Sequence, residues 1–316
     1  MRPFRFGIHS SSLPANGWIE WLQRIEGLGY SAIHWPDHFG PQIDPVVAMA
    51  AAAGVTKRLR LGSLVYCVDY RHPVVYAKAA ASIHALSGGR HEFGIGAGWM
   101  EDDYTQAGIP FDKPSVRIER LDEALQIIKS VWTEERTNFT GKHYQIRGIE
   151  RTAELQKGER PSIHVGGGGR RLLTVAGRHA DIVSIVSSIR GGSFNSDSIR
   201  DGSNSRFNKK VGWIRKAAEN AGRDPDTIEL GTMMFQPVFT DDPETVIKEQ
   251  AKKWDVTYEE AAEFSELLVG TPSAMKERLK QLREDTGINY IVIQARDIGI
   301  IEEFAKSVVE PLTRDS

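Results

Sequence analysis

The chain has 316 residues, 40% hydrophobic and 26% charged, enough for a large buried core and far from a disordered or fibrous composition. Forty Lys+Arg against 42 Asp+Glu leave a net charge of −2, so no global field recruits nucleic acid or an anionic membrane surface. The one cysteine, Cys67, excludes an intramolecular disulfide and a cysteine-based zinc cluster; with no apolar run of signal-peptide or membrane-spanning length, the expected setting is the cytoplasm.

In chain order, short apolar runs rich in branched residues alternate with amphipathic helical patterns, the signature of repeated βα units and a parallel sheet. Strands are expected at Arg5 to His9, Ala32 to Trp35, Leu59 to Val65, Glu92 to Ile95, Ser162 to Val165, Ile182 to Val186, Ile228 to Phe235 and Tyr290 to Gln294. Helical stripes separate them, such as Trp18, Trp21, Leu22, Ile25 and Leu28, or Ile118, Leu121, Leu125, Ile128 and Trp132. The last unit opens with Thr271 as an N-cap and Pro272 at the first helical position, and Gly287 ends it. Eight such units without a shift in composition favour an α/β fold, one (β/α)8 TIM barrel spanning 1–316, over two Rossmann-like halves. Three segments exceed the minimal repeat and are expected as insertion loops at the C-terminal face: 100–114, 136–160 and the polar 187–210.

Several motifs could carry chemistry. The strand Ile163-His164-Val165 runs into Gly166, Gly167, Gly168 and Gly169, then Arg170, Arg171 and a helix. Glycine lets backbone approach an anion and a helix N-terminus attracts it, so this is a candidate phosphate turn, though four glycines also make a plain flexible turn. No Gly-Lys-Ser/Thr follows, so it is not a Walker loop. Gly94-Ile95-Gly96-Ala97-Gly98-Trp99 lacks the helix and distal acid of a dinucleotide fingerprint; its small residues would let a flat ring lie against the backbone, or would serve close packing. Asp37 and His38 end the second strand, where barrel chemistry occurs. His38 could move a proton, with Asp37 to orient it, tune it or bind ligand; a hydrogen-bonded capping pair is the plainer alternative. His34 and His38 match zinc spacings poorly, and no metal is expected.

As an ordered set, these residues resemble the luciferase-like flavin and deazaflavin oxidoreductases, the bacterial luciferase-like monooxygenase family. The resemblance rests on Pro36-Asp37-His38, Leu61-Gly62-Ser63, Arg71-His72-Pro73, Leu86-Ser87-Gly88-Gly89-Arg90 and Gly94 to Trp99. It continues through Arg117 to Leu125, Phe139-Thr140-Gly141, Gly166 to Gly169 with Ala180-Asp181, and Gly270-Thr271-Pro272. It implies a TIM barrel binding coenzyme F420 or FMN at the C-terminal mouth. Gly166 to Arg170 would hold the phosphate, and Gly96, Ala97, Gly98 and Trp99 would lie by the ring. A non-proline cis peptide would form a ring-facing bulge around Tyr66, Cys67 and Val68. Asp37, His38 and Glu101 are most similar to the F420-dependent branch, where the histidine is the acid/base. The short segment before the phosphate turn and the four-glycine run depart from the FMN monooxygenases. The implied activity is F420-dependent hydride transfer to or from a small organic substrate. The alternatives are oxygenation with FMN supplied by a separate cofactor reductase, and a non-catalytic partner subunit. Family members are commonly homodimers, with Val46, Val47, Val74 and Val75 as a candidate face. Pocket candidates by position are His9, Trp35, Tyr66, Tyr104 and Phe194.

Overall fold

The computed structural model describes residues 2–152, 155, 159–189, 192 and 194–314. Residues 153, 154, 156–158, 190, 191 and 193 of the expected insertions lie outside these.

Eight parallel strands follow the expected runs: β1 (Arg5–His9), β2 (Ala32–Trp35), β3 (Arg60–Ser63), β4 (His91–Gly96), β5 (Ser162–Gly167), β6 (Ile182–Ile185), β7 (Glu229–Met234) and β8 (Tyr290–Gln294). Each pairs with its neighbours in sequence order, β3 joins β4 through Leu61 and His91, and β8 returns to β1 with Arg5 opposite Tyr290. The sheet is therefore a closed (β/α)8 barrel, as the alternating pattern predicts.

Alternation along the strands divides the side chains into two layers. Phe6, Ile8, Ile33, Trp35, Leu61, Phe93, Ile95, Ile163, Val165, Val183, Ile185, Ile291 and Ile293 belong to the main core. There they meet the apolar faces of helices α1 (Trp18–Gly27), α2 (Pro45–Val55), α3 (Pro73–Leu86), α4 (Pro114–Thr133), α5 (Arg170–His179), α6 (Asn204–Asn220) and α7 (Pro272–Thr286). Ala32, Leu64, Ile182, Tyr290 and Val292 form a second, separate cluster on the other side of the sheet, with Val65 and Met233 against it. Thr271 caps α7 by accepting the Ala274 amide, and Gly287 ends it at φ 77°.

The insertions refine the expectation. Segment 100–114 contains a short helix, Glu101–Ala107. Segment 136–160 contains an antiparallel hairpin, Arg136–Thr140 with Gln145–Glu150. That hairpin follows a helix, not a strand, so it leaves from the opposite end of the barrel and runs back along α4, where Glu123 accepts the amides of Lys142, His143 and Tyr144. Segment 187–210 contains a short helix, Ser196–Arg200, and its last residues already belong to α6. A further insertion after β7 escaped the periodicity: helices Pro243–Trp254 and Tyr258–Glu263, closed by a two-strand ladder of Val238–Phe239 with Val269–Gly270. Phe194, Phe235, Trp254 and Phe264 join the two insertions in an aromatic cluster of their own. Among the described residues no helix is long and apolar enough to cross a membrane.

Candidate active site

β2 delivers Asp37 and His38 to the mouth, and the two neighbours turn into different networks. His38 Nδ1 lies 2.5 Å from Asp103 Oδ2, in the short helix after β4. Asp103 is also held by the Phe39 amide at 3.3 Å and the Tyr70 hydroxyl at 3.2 Å. A carboxylate accepting from Nδ1 leaves Nε2 of the neutral ring as the nitrogen with a lone pair. The Trp99 indole stands edge-on to the imidazole, centroids 5.8 Å apart, and the His38 side chain remains 19% exposed.

Asp37 does not orient His38. Its carboxylate accepts Arg71 Nη1 at 2.9 and 2.8 Å and the Cys67 amide at 3.2 Å, while Arg71 Nη2 reaches Asp44, the N-cap of α2. Burial pushes the Asp37 carboxyl up, with Arg71 opposing. Its contacts tie the end of β2 to the bulge after β3. The sequence pointed to the adjacent acid, whereas the partner in space is 65 residues away. Asp103 was visible only as the third acid of Glu101-Asp102-Asp103. Helical phase puts it beside the buried Tyr104, while Glu101 is exposed at the helix start, its Cβ facing Gly192.

The cis peptide is Leu64–Val65, just ahead of the expected Tyr66 to Val68. Tyr66, Cys67 and Val68 are all buried. Tyr66 packs on Tyr76 and Phe93, and Cys67 Sγ contacts the Tyr104 hydroxyl at 3.1 Å. Burial pushes the Cys67 thiol up to about 12, so it stays protonated and is a poor nucleophile. Val65 is the bulge residue left partly open. A Cβ at Gly96 would fall 2.8 Å from Val65 Cγ2, and one at Gly166 would fall 3.1 Å from Val65 Cγ1. Gly94 leaves room for the Ser63 carbonyl, and Gly98, at φ 73°, for the Tyr104 hydroxyl. These glycines admit the bulge and its props, and Ala97 beside them is buried.

At the end of β5, Gly166 and Gly167 still pair with Ser184 and Ile185 of β6. Gly168 then passes beneath the Val186–Ser188 backbone, where any Cβ would collide with the Val186 carbonyl. Gly169 is the N-cap of α5 and has open space around its Cβ position. The Arg170, Arg171 and Leu172 amides that follow have no acceptor within the helix, and the Arg170 and Arg171 side chains are exposed. The facing wall is braced from behind. The Ser187 amide donates to Glu266 at 2.5 Å, the Ser188 amide to Asp201 at 3.0 Å, and buried Lys210 Nζ to the Val186 carbonyl at 2.9 Å. Burial pushes the Glu266 carboxyl up to about 7. The unspent donors therefore belong to the start of α5. A small anion fits this cradle: glycines where a Cβ would obstruct, open space at Gly169, and helix amides without partners.

On the β1 side, His9 Nε2 lies 3.2 Å from the Leu64 carbonyl, and burial lowers its imidazole to about 4, so it is neutral. Deeper in the barrel, His34, Glu92 and His164 bring ligand atoms within 4.8 Å of one another. Glu92 is already bonded by Arg5 and Arg60, and Tyr290 donates to it at 3.0 Å. A dication here would sit beside two guanidinium groups, so the cluster is a charge-compensated plug.

The mouth thus carries an imidazole oriented by a carboxylate, the Val65 bulge, and a glycine turn that opens onto a helix N-terminus. Over residues 2–290 the chain matches the luciferase-like monooxygenase family. An F420-dependent glucose-6-phosphate dehydrogenase of Intrasporangium calvum is 32% identical over 173 residues, 52% of this chain and 51% of that protein. The chain thus spans about half the length of that curated relative. By structure it is similar to the coenzyme F420-dependent tetrahydromethanopterin reductase of Methanopyrus kandleri (TM-score 0.79, 17% identity, 98% of this chain and 100% of that one). It is also similar to a riboflavin lyase solved with modified FMN (TM-score 0.77, 15% identity, 99% and 92%). The match across nearly the whole barrel, Gly166–Gly169 turn included, establishes that the chain belongs to the bacterial luciferase-like monooxygenase family.

Proposed function

We propose that the protein is an F420-dependent oxidoreductase that transfers a hydride to or from a small organic molecule. The observation that carries this is the oriented His38–Asp103 pair in the same barrel mouth as the Gly168–Gly169 cradle. Curated relatives named as F420-dependent dehydrogenases support the cofactor. When bound, the deazaflavin would supply or accept the hydride at C5. Gly168, Gly169 and the first amides of α5 would hold its phosphate, with Arg170 and Arg171 adding positive charge. Val65, supported by Gly96 and Gly166, would back the ring. His38 Nε2 would take the hydroxyl proton when an alcohol is oxidised, or return it to the carbonyl oxygen on reduction. Asp103 would hold the ring for that transfer and stabilise its charged form. Asp37 is assigned a positioning role through Cys67 and Arg71, and exposed Glu101 a place at the rim of the substrate entrance.

The family also includes proteins described as monooxygenases, so FMN with a separate reductase is the second reading. Titration of the purified protein with F420 and with FMN separates them. F420 should bind in the micromolar range or tighter, and Gly168→Ala should weaken that binding at least tenfold; tight FMN binding with no F420 response would reverse the order. The assembly is proposed to be a homodimer through α2 and α3, whose outer faces leave Val47 61% and Val75 53% exposed. Light scattering at twice the chain mass is the expected result.

A further inference from the structure

We propose that Arg296 anchors an anionic group of the substrate, so that the molecules turned over are small organic acids or phosphate esters. This rests on the oxidoreductase reading above. β8 ends at Gln294, the Ala295 amide donates to the His9 carbonyl at 3.3 Å, and Arg296 is the next residue. That places it just past the C-terminal end of a barrel strand, where barrel enzymes bind substrate.

Arg296 is exposed, and among the described residues it has no ion pair and no side-chain hydrogen bond. Apart from Arg170 at the glycine turn, several guanidinium groups around the mouth are engaged. Arg71 holds Asp37 and Asp44, Arg120 holds Asp69 and Asp112, Arg206 holds Asp201, and Arg117 donates to the Ala97 carbonyl. The adjacent acid, Asp297, is turned away: its Oδ1 accepts the Gly299 and Ile300 amides at the start of the next helix. Arg296 lies close enough to His9 for its charge to add to burial in keeping that imidazole unprotonated.

Arg296 and His38 lie just past β8 and β2, and His9 is the last residue of β1, the strand between them. Strand spacing puts Arg296 and His38 on the order of 10 Å apart at the backbone. A molecule bridging them is short, with its anionic group a few bonds from the carbon that exchanges a hydride. The planar fork of arginine suits a carboxylate or phosphate, and a charge fixed at one end orients the other end toward His38. The glycine cradle follows β5 and serves a different group.

The test measures binding of malonate and of glycerol 3-phosphate by calorimetry at constant ionic strength, alongside the F420 and FMN titrations. Wild-type protein should bind at least one of the two anions. Arg296→Gln should weaken that anion at least tenfold while leaving cofactor affinity within twofold, and Arg170→Gln/Arg171→Gln should retain it. The anion lost identifies the headgroup as carboxylate or phosphate ester. Arg296→Gln protein that binds both anions as wild type does, or wild type that binds neither, overturns the proposal. Failure of both cofactors to bind would instead overturn the oxidoreductase reading.

Discussion

The floor and the mouth of the barrel use the same residue types to opposite ends. At the floor, buried Glu92 is gripped by Arg5, Arg60 and Tyr290, and Arg5 also reaches Glu229. His34 donates no charge there, since burial holds its imidazole well below the usual range, and its Nε2 rests on the Tyr290 hydroxyl at 2.7 Å. At the mouth, His38 has one nitrogen occupied and one open, Arg296 has no ion pair among the described residues, and the amides after Gly169 have no acceptor within their helix. Low-dielectric surroundings make unmet valences costly at the floor. Near solvent they cost little, and they are where a ligand gains binding energy. The contrast is one of charge: at the floor Glu92, Glu229, Arg5 and Arg60 are all paired, although the neutral His34 and His164 rings each keep a buried Nδ1 without a partner among the described residues.

Substitutions can break that contrast. The largest expected effect is at the mouth: His38→Ala should lower turnover about 10²- to 10⁴-fold with thermal stability and cofactor affinity unchanged. Asp103→Asn should give a smaller loss of turnover in the same assay, because the ring remains but its orientation and charge support are weakened. At the floor, Glu92→Ala should cost up to about 3 kcal/mol of unfolding free energy by leaving the half-buried Arg5 and Arg60 without their shared carboxylate. Chemical denaturation measures it, and cofactor affinity of the folded fraction should not move.

A last effect sharpens the comparison through pH. The Glu266 carboxyl is raised to about 7 in the folded protein, against about 4.3 unfolded. Its contribution is fully present below the unfolded value and is lost as pH rises through 7, up to roughly 4 kcal/mol. Lowered His9, His91 and His164, each near 4, act in the opposite sense and lose stability as pH falls below 6.5. Glu266→Gln should therefore remove only the loss between about pH 4.5 and 7. An unchanged slope in that variant would show that the carboxyl does not titrate there.

The barrel was legible because each strand is a short, nearly continuous apolar run, and β1, β2 and β8 have the bounds the pattern predicts. The cradle was legible because four glycines before a helix are rare without a steric reason, and Gly168 under the Val186 carbonyl supplies one. Contacts between distant segments were not. Asp103 meets His38 only because β2 and the helix after β4 share the mouth, and Val65 replaces Tyr66 and Cys67 at the open face because the bulge turns those two inward. The helices Pro243–Trp254 and Tyr258–Glu263 escaped because they bury little, with Ala251 and Ala261 their fully buried residues.

The pairing of Arg5 with Tyr290 has a consequence for how the molecule is made. Neighbouring βα units can assemble as they leave the ribosome, but the seam between β1 and β8 waits for the last strand of the barrel. Until then the first strand keeps an open edge and Arg5 lacks its Glu229 and Tyr290 partners. Closure is a contact between sequence-distant residues, the kind that folds slowly and exposes an edge to other chains. During synthesis, the seam that completes the barrel is also an edge open to other chains.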